Sequence, residues 1–188
     1  MRPHISSLAK TCFFNLRRIA SIRRNLIQEA CEKLVIALLF SRLDYCNSLL
    51  AGLPASSLQG LQRIQNSSAR LVLKKKKSDH ITPLLRSLHW LSINDRISYK
   101  LASLCYKCLN DYAPDYLRSC VDLYSQSRSL RSASDPLRLR VPRTKLVSAG
   151  QRAFSYAGPS TWNILPLQIR QSPNIDTFKN RLKTHLFL

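Results

Sequence analysis

The stretch "SLHWLSINDRISYKL", Ser87 to Leu101, decides how this chain is read. Ser92 followed by Asp95 three residues on is a helix-start signal, a capping box with Asp in place of the usual Glu. Beyond it Ile97, Leu101, Leu104 and Cys108 recur at three and four residues, the period of a helix with one buried face. On the other side, Thr82 and Pro83 open a short helix carrying Leu84, Leu85 and Leu88, because Pro loses no needed hydrogen bond in a first turn. The quoted stretch is therefore a junction between two helices, with Trp90 expected in its corner.

Working outward toward the N-terminus, helical periodicity continues. Between Ile5 and Ile22 the apolar positions Leu8, Cys12, Leu16 and Ile19 are helically spaced. Asn25 is expected to cap a second helix, with Ile27, Cys31, Leu34, Val35 and Leu38 as its stripe, running to about Leu50 before Gly52 and Pro54 stop it. A third helix opens at Ser56 or Ser57, buries Leu58, Leu61, Ile64, Leu71 and Val72, and ends in Lys74 to Lys77, where cations complement the helix dipole.

Toward the C-terminus, Pro114 starts a short helix to about Cys120, and then the texture changes. "SQSRSLRSASDP" reads as a flexible Ser/Arg-rich loop. "LRLRVP" alternates apolar and basic residues from Leu137 to Val141, the two-residue period of a half-exposed strand, and "RAFSYAG" is its expected partner. Ile175, Phe178, Leu182 and Leu186 predict a docked C-terminal helix. The expected fold is mainly α, a helical module over 1–120, a loop over 121–136, and a small β-hairpin plus C-terminal helix over 137–188. No repeat of fixed period is present, which argues against a solenoid.

The charge points to the partner. Thirty Lys and Arg against ten Asp and Glu leave a formal net charge of +20. Such an excess favours a polyanion, nucleic acid first and an anionic membrane surface second. Acids thin out late in the chain, where only Asp122, Asp135 and Asp176 follow Asp115, so that half is expected to make the stronger electrostatic contact. The candidate phosphate-contacting residues are Lys74, Lys75, Lys76, Lys77, Arg128, Arg131, Arg138, Arg140, Arg143 and Lys145. The ordinary alternatives are a solvated or nuclear-import lysine loop, and a strand edge protected by charge.

Catalytic chemistry finds little support. "CYKC", Cys105 to Cys108, has the spacing of half a zinc site, but no second half follows, and both cysteines fall on or beside the stripe of Ile97, Leu101 and Leu104. There a free Cys acts as a small core hydrophobe. Asp44 has no neighbouring carboxylate with which to hold metal ions, and it reads as a partner for a nearby Arg. Four glycines form no phosphate-cradling loop. No cofactor or metal is expected. The N-terminal stretch has no secretory core and the longest apolar run, Leu34 to Phe40, is too short to span a bilayer, so an intracellular, nuclear or cytoplasmic chain with reduced thiols is expected.

Taken in order and spacing, "SRLDYCNSLLAGLP", "LQRIQNSSARLVL", "DHITPLLRSLHWL", "RISYKLASLCYKCLNDYAPDYL", "SLRSASDPLRLRVPRTK", "RAFSYAGPSTWNILP" and "TFKNRLKTHLF" resemble the region downstream of the polymerase in LINE-type, jockey-like non-LTR retrotransposons. The resemblance covers nearly the whole chain. It implies an origin in an RNA-directed DNA polymerase polyprotein whose endonuclease and reverse transcriptase lie upstream. The Tyr/Phe-Ala-Asp-Asp box of that family's palm and the endonuclease carboxylates and histidines are absent, so no catalytic residue carries over. Two positions depart from the family pattern: Ser92 stands where Pro is frequent after "LHWL", and the basic segment before "DHITP" is pure Lys. The best-matching motifs centre on Trp90, Pro114 and Trp162, residues that argue for a preserved fold rather than a ligand. The resulting expectation is a non-catalytic, accessory module that contacts RNA or DNA backbones beside an upstream polymerase. Its rivals are a polymerase in its own right, a structural spacer, and the product of a truncated element copy.

Overall fold

The computed structural model describes residues 1–125, 135–146 and 150–187. The chain divides into two compact units, Met1–Asn47 with Leu53–Arg96, and Ser48–Gly52 with Ile97–Leu188. The second therefore takes in the end of the expected 1–120 module together with the 137–188 segment, and most of the Ser/Arg-rich loop falls outside the described residues.

The first unit begins with α1, Arg2–Ile22, which packs along α4, Ala55–Val72. α1 buries Ile5, Cys12, Leu16 and Ile19. α4 buries Leu58, Leu61, Ile64 and Val72, side chains that each stabilise by about 1.5–3 kcal/mol when withdrawn from water. Between them α2, Gln28–Val35, passes without a break through a wide π turn, Ile36–Phe40, into α3, Ser41–Asp44. This turn corrects the expected stripe. A π turn accommodates one extra residue, so the buried side chains after Cys31 and Val35 are Leu39, Phe40 and Leu43, while Leu38 faces solvent; Ile27, the extended residue before α2, is exposed as well. Asn25 closes a 3-10 turn rather than capping a helix, and the expected run to Leu50 ends at Asp44.

The junction forms as its local signals dictate. α5, Ile81–Ser87, ends with His89 in the left-handed region (φ 53°); the Trp90 N–H returns to the Leu85 carbonyl and that of His89 to Arg86. These are the two bonds of a Schellman turn. α6, Ile93–Leu109, then starts with the Asp95 N–H donating to Ser92 Oγ at 3.3 Å and Ser92 Oγ donating to the Asp95 carboxylate at 2.5 Å. Trp90 packs edge-on against Phe40 with ring centroids 4.4 Å apart. The junction backbone is tied to α4 by two glutamines. Buried Gln65 donates to the Leu91 carbonyl and Gln62 accepts from the Ile93 N–H. Asp44 does pair with an arginine, Arg96, which grips it with two nitrogens and lies over the Phe40 ring.

The second unit contains α6 from Ile97 on, α7, Asp115–Arg118, α8, Phe154–Ile164, α9, Leu167–Arg170, and α10, Ile175–Leu186. Its core stacks Tyr106 on Phe178 and Trp162 on the same ring, with Cys105, Leu139 and Leu182 around them. Pro114 is the residue before α7, and Asn174 caps α10 by accepting from the Thr177 N–H.

The expected hairpin is absent: no strand forms among the described residues, and "RAFSYAG" largely lies in α8. The alternation over 137–140 is nevertheless expressed, with Leu139 buried and Arg138 and Arg140 exposed. One edge of this extended segment makes an isolated bridge to Leu123. On the other, side chains of α8 take the place of a strand: Trp162 Nε1 donates to the Leu137 carbonyl, and the Asn163 amide both accepts from the Leu139 N–H and donates to its carbonyl. The N–H and carbonyl groups of Leu137, Arg138 and Leu139 are all satisfied in this way, so a second strand has nothing left to pair with there.

Candidate nucleic-acid interface

α4 carries two stripes of one period. Opposite its buried face, Arg63, Asn66, Ser67, Arg70 and Lys74 fall at i, i+3, i+4, i+7 and i+11. Where the helix ends, Lys74 takes a left-handed conformation (φ 52°), its N–H bonded to the Leu71 carbonyl and that of Lys75 to Arg70. This is a second Schellman turn, built on Lys where Gly is usual. The turn brings Lys74, Lys75 and Lys77 beside the polar stripe. Together with Arg23, Arg63 and Arg70 they line a cavity of about 730 Å³, completed by Phe13, Asn66, Ser67 and Leu71. The lining holds six cationic side chains and no acidic one.

The six differ in what they can offer. Arg23 is buried and donates from Nε, Nη1 and Nη2 to the carbonyls of Leu71, Leu26 and Val72, so it ties off the carbonyl end of α4 and is anchored there while contributing its charge. Arg70 donates through Nη2 to the Asp79 carbonyl, while its buried Nε–H has no acceptor among the described residues. Arg63, Lys74, Lys75 and Lys77 are exposed and form no ion pair among the described residues. Lys76 is exposed as well but lies off the cavity wall. Asp79 folds this loop by accepting from the Lys76 backbone N–H at 2.8 Å.

The remaining candidates belong to the second unit. Arg138 and Arg140 project outward on either side of Leu139, Arg138 lies 5.9 Å from the centre of the exposed Tyr124 ring, and Arg143 and Lys145 are exposed. Arg128 and Arg131 lie outside the described residues. The cations gathered around one cavity are thus in the first unit, not in the acid-poor C-terminal half. Sequence reasoning passed over Phe13, Arg23, Arg63 and Arg70. The arginines of α4 carried a readable signal in their helical spacing; Phe13 and Arg23 reach the cavity only through tertiary packing.

Four of the six cysteines, Cys12, Cys31, Cys105 and Cys108, are buried and behave as core, while Cys120 is half-buried and Cys46 exposed. Burial pushes the thiols of Cys12, Cys31, Cys105 and Cys108 above their ordinary range, which keeps them protonated. Cys108 Sγ donates to the Leu117 carbonyl and Cys120 Sγ to that of Tyr116. Among the described residues no three metal-ligating side chains converge, and no helix is long and apolar enough to cross a membrane. The chain matches no known family model, no curated protein and no solved structure.

Proposed function

We propose that this chain is a non-catalytic nucleic-acid-binding module that holds RNA or DNA through its phosphate backbone. The observation that carries the reading is the α4 cavity, six cations around one concavity with no acid in its wall. Concentrated positive potential in a recess attracts and retains a polyanion, and Lys and Arg neutralise phosphates with release of counterions. The exposed Arg138, Arg140, Arg143 and Lys145 of the second unit add further phosphate contacts. The sequence resemblance supplies the setting: an accessory piece of a LINE-type retrotransposon polymerase, keeping template RNA or target DNA beside an upstream catalytic domain.

A second reading, a spacer that packs on that upstream domain, draws on the exposed apolar side chains Phe14, Ile22, Ile27, Ile36 and Leu38 of the first unit. Fluorescence anisotropy of the purified chain against single-stranded RNA, hairpin RNA and duplex DNA over a salt series separates the two. Binding that weakens steeply with salt and depends little on sequence supports the module. A folded chain that binds none of the three at low salt supports the spacer. DNA synthesis in a primer-extension assay with magnesium would overturn both.

A further inference from the structure

The phosphate reading leaves part of the α4 cavity without a role. Phe13, from α1, contributes an aromatic ring to the wall. Also in the wall, Asn66 accepts from Gln62 through Oδ1, which fixes its amide and leaves the NH₂ group without an acceptor among the described residues. The Ser67 hydroxyl, likewise in the wall, makes no hydrogen bond among the described residues. The Asn66 and Ser67 donors suit a phosphate oxygen as well as a base edge, but an aromatic ring has nothing to offer a phosphate, whereas a nucleobase has a face to stack on it.

We propose that the cavity is a single-strand site: it takes one unpaired nucleotide with its base against Phe13, its edge toward Asn66 and Ser67, and its flanking phosphates on Arg63, Lys74, Lys75 and Lys77. The inference rests on the nucleic-acid reading above. The concavity selects the strand form. In a duplex the phosphates lie on a convex surface and the bases are stacked inward, so a base reaches an aromatic ring at the wall of a recess only when it is unpaired. The size agrees, since a cavity of about 730 Å³ falls within the roughly 300–1,000 Å³ that encloses a compact ligand. Rigidity also agrees, because α1 and α4 pack along each other and bring the ring and the cations from two elements of one unit.

The test compares a short oligouridylate with a duplex of equal length on the full chain and on Phe13→Leu and Phe13→Tyr, with circular dichroism to confirm folding. Phe13→Leu is expected to weaken the single strand by about 5- to 150-fold, the loss of one base–aromatic stack, and to leave duplex affinity and the salt slope as they were. Phe13→Tyr, which keeps the ring, is expected to retain single-strand affinity. If Phe13→Leu changes nothing while glutamines at Lys74, Lys75 and Lys77 abolish binding, the single-strand site is refuted and the phosphate reading stands. Uridine monophosphate competing as well as the strand would also refute it, marking a mononucleotide pocket. If none of these ligands binds, both readings fall.

Discussion

Replacing Lys74, Lys75 and Lys77 together by Gln removes three of the charges that line the α4 cavity without shortening the side chains appreciably. The structure says what to expect of each. All three are exposed, unpaired among the described residues and on the wall, so each can neutralise one phosphate in full. Arg23 cannot replace them, since it is buried and anchored to three backbone carbonyls. For single strands each neutralised phosphate contributes about 0.7 to the slope of log affinity against log salt, so the triple variant should flatten that slope by about 2. Over a rise from about 50 to 200 mM salt, about 20-fold of the salt sensitivity disappears. Anisotropy titrations of wild type and variant measure the two slopes directly. The decisive control is Lys76→Gln, equally exposed and between the others in sequence but off the cavity wall. Its slope should stay near that of wild type. If Lys76→Gln flattens the slope as much as each of its neighbours does, the lysines act as a diffuse patch, and the cavity argument is refuted.

Three further outcomes follow from the second unit. A Cβ on Gly158 would come within 2.9 Å of both Cys105 Sγ and the Phe154 ring, so Gly158→Ala should cost about 1–3 kcal/mol in urea unfolding. Combining it with Cys105→Ala, which removes the sulfur, should cost less than the two changes summed; strict additivity would refute the contact. Arg170 is buried, donates to the Leu165 carbonyl and grips Asp135 with two nitrogens, so Arg170→Ala leaves these acceptors unpaired and should cost about 3–5 kcal/mol; a loss under about 1 kcal/mol, the value of an exposed pair, would contradict this geometry. The raised thiol of buried Cys105 sets a pH dependence. Above about pH 8.5 the unfolded chain releases this proton while the folded chain holds it, so stability is level below that pH and falls above it by about 1.4 kcal/mol per pH unit for one such thiol. Cys105→Ala should make the alkaline limb shallower, as chemical denaturation at several pH values would show.

Where sequence and structure part company, the reason is the range of the interaction. The Ser92–Asp95 start of α6 and the Asn174 start of α10 are made by residues three apart, and the apolar periods of α4 and α10 are properties of consecutive turns. The ends of helices were harder to read. α4, α5 and α6 stop at Lys74, His89 and Asp111, all left-handed, where the expectation of a Gly stop has nothing to detect in a chain with four glycines. At Asp111 the Tyr112 N–H returns to the Lys107 carbonyl, the same closure seen at Lys74 and His89. The local cost of such a conformation, about 1–2 kcal/mol in an L-residue, is offset by the orphan carbonyls the turn satisfies.

Half of the candidate interface was legible in the same sense. The lysine run is visible as composition, and Arg63, Arg70 and Lys74 share a face because the helix repeats every 3.6 residues. That Lys76 stands apart from Lys74, Lys75 and Lys77 depends on a left-handed turn and on Asp79 accepting from the Lys76 backbone. Phe13 and Arg23 join the cavity from residues far earlier in the chain.

The amino-acid sequence by itself determined that this protein is mainly helical, strongly basic, and punctuated by a helix junction at Trp90, because helix period, capping and net charge are sums over near neighbours. Only the tertiary structure decided that the alternating segment 137–140 would pair with the side chains of Trp162 and Asn163 instead of a strand, that a π turn would exchange Leu38 for Leu39 in the core, and that six cations would face one cavity. Each of these depends on which distant group satisfies a backbone hydrogen bond or fills a volume, and neither is written in the spacing of residues along the chain.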